Sequence, residues 1–150
     1  MTKLRAFFDA DAILAGCAAA SGAAHLLLQL CDLGLLGGVT SDQAREEARR
    51  NLIKKVPGAL AEFETIIEQA LETLPDPSPE EMANFRESAH PKDVPILAAA
   101  VLSGACWLVT FNLKDYYSPP AGIQVVEPGR AIRQIREALL QAADLPLGDT

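Results

Sequence analysis

The sequence predicts a single α/β domain built on a mostly parallel sheet of four to five strands. Three observations carry that prediction. Short apolar runs alternate along the chain with longer stretches of helical periodicity, the order of strand–helix–strand units. The 150 residues suit one domain with one core. The composition, 49% hydrophobic and 22% charged, has a globular balance, and the chain shows no internal repeat, low-complexity tract or linker.

Residues 5–8 read as a first strand that delivers Asp9. Residues 23–33 read as a helix with His25, Gln29 and Asp32 on one polar face, closed by Gly34. Residues 35–39 are the expected second strand, although Gly37 and Gly38 are poor strand formers. Thr40 and Gln43 are spaced as a capping box for a helix running to about Val56, where Pro57-Gly58 breaks it. The next helix carries Leu60, Phe63, Ile66, Ile67, Ala70 and Leu71 on one face. After a proline-rich loop, Ser78, Pro79 and Glu81 form a helix start, with the helix ending near His90-Pro91. Residues 96–102 are apolar on all sides, as in a helix buried against a sheet. Strands are expected at 106–110 and 123–126. A final helix is expected at 129–143, with Ile132, Ile135, Leu139 and Ala142 inward. The domain is expected to occupy residues 1–144, leaving 145–150 as a frayed tail.

The net charge of −7 argues against a general nucleic-acid coat, which needs a basic surface. It is compatible with a nuclease, because bound cations change the local charge of an acidic site. The three cysteines, Cys17, Cys31 and Cys106, form no CxxC pair, so neither a disulfide framework nor a zinc site is indicated. A reducing, cytoplasmic compartment follows as the expectation. Asp9 interrupts any signal-peptide core at the start. The uncharged stretch 94–113 is long enough to span a bilayer, but Pro95, Ser103, Gly104 and Asn112 divide it. It is expected to be a buried helix, a Gly turn and a buried strand, with a membrane span as the lesser alternative.

In an open α/β sheet, ligands bind beyond the carboxyl ends of the strands. Several acids fall there. Asp9 and Asp11 follow the first strand, two residues apart, and share a face if the chain stays extended. Turn-amide capping is the competing role for both. Glu46 and Glu47 lie in the helix after the second strand, and only one can face the site, since helix neighbours point about 100° apart. Asp93 precedes the buried helix, as an oxygen ligand, an N-cap or both. Asn112 and Asp115 follow the strand at 106–110. Hard cations such as Mg²⁺ prefer such oxygens. Two of them can clamp a phosphodiester, activating water on one side and stabilising the leaving oxygen on the other. His25 is expected to be merely solvated, and His90 to serve the loop or a cap.

At these positions the chain resembles the PIN domain family. Phe7-Phe8-Asp9-Ala10-Asp11-Ala12-Ile13-Leu14 resembles the family's opening signature. Residues 41–47 resemble its second block, a Ser followed by a helix bearing an acid. Asp93-Val94-Pro95-Ile96-Leu97 resembles the third block, and Thr110-Phe111-Asn112-Leu113-Lys114-Asp115-Tyr116 the fourth. The resemblance runs in order over residues 5–126.

It implies a three-layer α/β/α sandwich and Mg²⁺- or Mn²⁺-dependent endoribonuclease activity. It further implies the toxin role of a type II toxin–antitoxin pair. Carried over by position, Asp9, Glu47, Asp93 and Asp115 are the catalytic acids and metal ligands. Asn112 stands where many members have an acid, so it offers a cation an amide oxygen without negative charge. Lys92 or Lys114 would steady the phosphate. RNA is the implied substrate, a cognate antitoxin the implied partner, and a homodimer a further expectation. Asp9→Asn is expected to abolish cleavage and leave thermal stability nearly unchanged. Two alternatives stand beside this reading: a catalytically weakened PIN-fold module that binds RNA or protein, and a haloacid-dehalogenase-like phosphatase. Asp9-Ala10-Asp11 fits the phosphatase, but Ala12-Ile13 replaces its usual Gly-Thr. A receiver domain would need a phosphorylatable Asp after its third strand, and none fits.

Overall fold

Phe7 and Phe8 are both fully buried, although they are neighbours on one strand. Successive side chains of a strand point to opposite faces, so this strand must have a core on each side. In the computed structural model, which describes residues 3–143, it is β1 (Arg5–Phe8), the middle strand of a five-stranded, all-parallel sheet. The other strands are β2 (Gly37–Ser41), β3 (Leu71–Leu74), β4 (Trp107–Val109) and β5 (Gln124–Val126), in the order β3-β2-β1-β4-β5. β1 pairs with β2 from Arg5 opposite Gly37, and with β4 from Ala6 opposite Trp107.

Seven α-helices are present among the described residues: α1 (Ala10–Ala18), α2 (Ala23–Asp32), α3 (Asp42–Lys55), α4 (Leu60–Ala70), α5 (Pro79–Met82), α6 (Val94–Leu102) and α7 (Pro128–Ala143). They make the outer layers of a three-layer α/β/α sandwich. One core gathers Ala6, Phe8, Trp107 and Val109 with α1, α2, α4 and α7. The other gathers Phe7, Val39 and Leu108 with α6. The uncharged stretch at 94–113 resolves into α6, a turn at Gly104 (φ +78°) and β4. Among the described residues no single helix is long and apolar enough to cross a membrane.

Several elements differ from expectation. The chain does not stay extended after β1. Asp9 caps α1, its Oδ1 accepting from the Ala10 amide at 2.7 Å, and the helix begins at once. The second strand lies two residues later than predicted. Leu35 and Leu36 both donate backbone bonds to Leu30 O, closing α2, and register with β1 begins only at Gly37. Thr40 therefore belongs to β2, its hydroxyl donating to Phe8 O at 2.9 Å. Ser41, not Thr40, caps α3, accepting from the Ala44 amide at 3.3 Å.

Leu71 ends α4 instead of extending it, and starts the edge strand β3. The capping box at Ser78 and Glu81 forms as predicted, but α5 is one turn long and passes into a 3₁₀ turn at Ala83–Phe85. The inner face of α7 stops at Ile135: Leu139 is 66% exposed and Ala142 is also exposed. The expected tail at 145–150 lies outside the described residues.

Gly38 explains why a poor strand former sits inside β2. A Cβ there would lie 2.7 Å from Ala70 O and 2.8 Å from Cys31 Sγ. The first of these is backbone and cannot step aside. Gly38→Ala is therefore expected to destabilise the fold by about 1–3 kcal/mol. The check is a urea melt, in which the midpoint should fall with an unchanged slope.

Candidate active site

The sheet order fixes where a site can form. From β1 the chain winds outward through β2 and β3, then returns to start β4 on the other side of β1. The crevice beyond the carboxyl ends of β1 and β4 is the topological switch point, the usual ligand position in such sheets. Asp9 leaves β1 there and Thr110 leaves β4, and the ladder carries on between them, Asp9 N donating to Val109 O at 3.0 Å.

Asp9 is 8% exposed and saturated with donors. Besides the Ala10 amide, its Oδ2 accepts from the Thr110 hydroxyl at 3.0 Å and from the Tyr116 hydroxyl at 2.9 Å. Tyr116 is itself buried, and burial first, then the Asp9 charge, holds its phenol protonated. Asp11 turns toward the same loop. It accepts from the Phe111 amide at 3.0 Å, and both its oxygens lie 3.2 Å from the Thr110 hydroxyl. One hydroxyl proton thus serves two carboxylates. Burial, then the charge of Asp9, pushes the Asp11 pKa up to about 6. The loop-capping role proposed for Asp11 is the one its contacts fit.

Asp93 ends a 3₁₀ turn, Pro91–Asp93, and its side chain makes no cap hydrogen bond to α6. Its Oδ2 is buried with no hydrogen-bond partner. Its pKa is pushed up to about 6, by burial first, with Lys92 opposing and the charges of Asp9 and Asp115 adding. Asp115 is the opposite case. The Asn112 Nδ2 donates to its Oδ2 at 2.6 Å, and the Lys92 ammonium lies 3.2 Å from the same oxygen. These two, Asn112 first, hold its carboxyl below the usual range. Lys92 also pairs with Asp93 Oδ2 at 3.8 Å.

Glu47 is exposed on α3, and its charge reaches Lys92. Glu46 points about 100° away around the helix. Lys114 stands exposed on the turn Leu113–Asp115. His90 caps the turn before Asp93, accepting from the Lys92 amide at 3.3 Å, while its own amide donates to Asp115 O at 2.7 Å. His25 is not merely solvated: its Nδ1 bonds Gly16 O at 2.8 Å and ties α2 to α1.

The fold thus brings Asp9, Asp93, Asn112, Asp115 and Lys92 to one crevice, with Glu47 at its rim. Among the described residues, however, no three acid, imidazole or thiol groups converge closely enough to hold an ion as they stand. Thr110, Tyr116 and Asn112 occupy carboxylate oxygens, and Lys92 supplies positive charge. Thr110 and Tyr116 were missed as site residues because a single hydroxyl in sequence gives no sign of its partner 101 or 107 positions away.

A family model described as "PIN domain" matches residues 5–114. The chain belongs to the PIN domain family. The match takes in Asp9, Glu47, Asp93 and Asn112 and stops one residue short of Asp115. No curated protein matches the chain significantly. Among solved structures, PAE2754 from Pyrobaculum aerophilum is similar, with a TM-score of 0.63 and 16% identity over 89% of this chain and 96% of that one. At that identity the likeness concerns the fold alone. PIN domains are generally nucleases that use divalent metals, so family membership gives this chain a nuclease-type function.

The raised acids make metal-free stability depend on pH. Asp11 and Asp93 both keep their protons to about pH 6 when folded, against an ordinary value of 3.8. Between those values the folded chain binds more protons than the unfolded one, so their contribution to stability falls as pH rises through this window. Melting temperatures from pH 4 to 8 in chelator should show that fall, and the Asp11→Asn/Asp93→Asn double variant should flatten it.

Proposed function

We propose that this PIN domain is a metal-dependent endoribonuclease that hydrolyses RNA phosphodiesters with Mg²⁺ or Mn²⁺ held by Asp9, Glu47, Asp93 and Asp115. The observation that carries the reading is the buried Asp93 Oδ2 without a hydrogen-bond partner, in the crevice that Asp9 and Asp115 share. The nearest cation to that oxygen, the Lys92 ammonium at 3.8 Å, is beyond hydrogen-bond reach, and a buried carboxylate oxygen without a donor is costly unless something that is not protein satisfies it. The donor set fits a hard cation in kind, being carboxylate oxygens with the Asn112 amide oxygen beside them. A divalent ion there would neutralise the phosphate and activate the attacking water.

The chain's own residues then do the rest. Asp9, held by Thr110 and Tyr116, orients one oxygen pair at the mouth of β1. Asn112 orients Asp115 and leaves its own amide oxygen for the cation. Lys92 meets the scissile phosphate. An adjoining groove lined by Met82, Arg86, Pro91, Val94 and Pro95 offers apolar surface and a guanidinium to the flanking nucleotides. Membership of the family supports a further role as the toxin of a type II toxin–antitoxin pair. Its antitoxin would cover the acidic crevice with Arg or Lys, and the toxin could act as a homodimer in the cytoplasm.

A second reading, the catalytically weakened module for RNA or protein binding, draws on two observations. The acids do not converge among the described residues, and Asn112 spends its amide nitrogen on Asp115. The phosphatase alternative gives way to family membership. The deciding experiment is cleavage of mixed single-stranded and structured RNAs with Mg²⁺ or Mn²⁺, beside Mn²⁺ titration. Metal-dependent cleavage lost in both Asp9→Asn and Asp93→Asn supports the nuclease. A wild type that neither binds Mn²⁺ nor cleaves leaves the module.

A further inference from the structure

We propose that Lys92 is a resident counter-ion of this crevice, which a divalent cation must displace, so that Lys92 sets how tightly the chain holds its metal. This rests on the nuclease reading above. The geometry is specific. The Lys92 ammonium lies 3.2 Å from Asp115 Oδ2 and 3.8 Å from Asp93 Oδ2, bridging two of the acids assigned to the metal, and the charge of Glu47 on α3 adds to their hold on it. A cation drawing on those oxygens enters the volume the ammonium fills.

The backbone suits such an exchange. Lys92 sits in the turn Pro91–Asp93, and this turn is anchored without its side chain: His90 Nδ1 accepts from the Lys92 amide, and the His90 amide bonds Asp115 O. The Lys92 side chain is 61% exposed, so its four-carbon stem can swing outward with no repacking. Once moved aside it stays at the rim, where an incoming phosphate passes. The same residue therefore opposes the metal before binding and assists the substrate after it.

The test is Mn²⁺ titration by calorimetry at pH 7.5 on the full chain, comparing wild type, Lys92→Met and Lys92→Arg, with melting temperatures in chelator. Because the ion no longer has to break an exposed ion pair of ordinary surface strength, Mn²⁺ binding is expected to tighten about fivefold in Lys92→Met. The metal-free melting temperature of that variant should fall by about 1–3 °C, since the acids lose their partner. Lys92→Arg should bind as wild type does.

Wild-type binding with equal or weaker binding by Lys92→Met overturns the counter-ion and leaves the nuclease standing. Tightening in Lys92→Arg as large as in Lys92→Met also overturns it, because the effect then comes from shape and not charge. No Mn²⁺ binding by wild type overturns both.

Discussion

Asp93→Asn is expected to abolish metal-dependent RNA cleavage while making the protein more stable. Metal assistance is worth several kcal/mol in a transition state, so losing a ligand should cost on the order of a thousandfold in kcat/KM. Stability moves the other way because the native carboxylate is unhappy where it sits. Its Oδ2 is buried without a donor, and burial pushes its pKa up to about 6. At neutral pH the folded chain therefore carries a charge it would rather neutralise. An amide has the same shape and no charge. Part of the gain is lost with the Lys92 pair at 3.8 Å. The net gain should be roughly 1 kcal/mol, or about 2–4 °C in a thermal melt in chelator. Unchanged cleavage would remove Asp93 from the mechanism, and a lower melting temperature would contradict the burial argument.

Asp9→Asn should give the same loss of cleavage with the reverse effect on stability. The expectation from sequence, that stability stays nearly unchanged, does not survive the contacts. Asp9 accepts from the Ala10 amide, the Thr110 hydroxyl and the Tyr116 hydroxyl, and is 8% exposed. An asparagine can keep its oxygen for the Ala10 amide, but its nitrogen only donates, so the Thr110 and Tyr116 hydroxyls must turn to accept from it and the buried Tyr116 proton loses its acceptor. A buried donor left unpaired costs about 1–3 kcal/mol. Relief of repulsion toward Asp11 and Asp93 offsets part of this, and the melting temperature should still fall by about 2–6 °C. The pair of variants thus separates the two acids: one is a ligand in waiting, the other is also a structural node. Equal stability changes in the two would mean that the hydrogen-bond assignment at Asp9 is wrong.

Much of this was legible in the chain. The alternation of short apolar runs with helical ones gave the parallel sheet, because strands buried on both faces, as β1 and β4 are, run nearly continuously apolar. The positions of Asp9 and Asp115 beyond strand ends, and of Asp93 before the buried helix, were legible because order along the chain is a one-dimensional signal. The failures have local causes. β3 was hidden because Leu71 satisfies both the helical face before it and the strand after it. α1 was hidden because Asp9-Ala10-Asp11 reads as extended until one knows that Asp9 turns back on its own neighbour. The wrong half of Thr40-Ser41 was assigned the cap because the choice depends on where register with β1 begins, and register is not written in either residue. The hydroxyls that hold Asp9 come from Thr110 and Tyr116, far along the chain, so no local pattern contains them.

That separation bears on synthesis. Asp9 is made near the start of the chain, but its two hydroxyl partners arrive 101 and 107 residues later. β1 cannot gain its second neighbour until Trp107–Val109 has been made. A ribosome-bound chain that carries only β1, β2 and β3 has one flank of the sheet, with Asp9 and Glu47 present but Asp93, Asp115 and both hydroxyls that hold Asp9 still to come. Pairings over such distances also form late in folding, since long loops must close before they are rewarded. The crevice therefore cannot assemble until β4, Thr110 and Tyr116 have all been made.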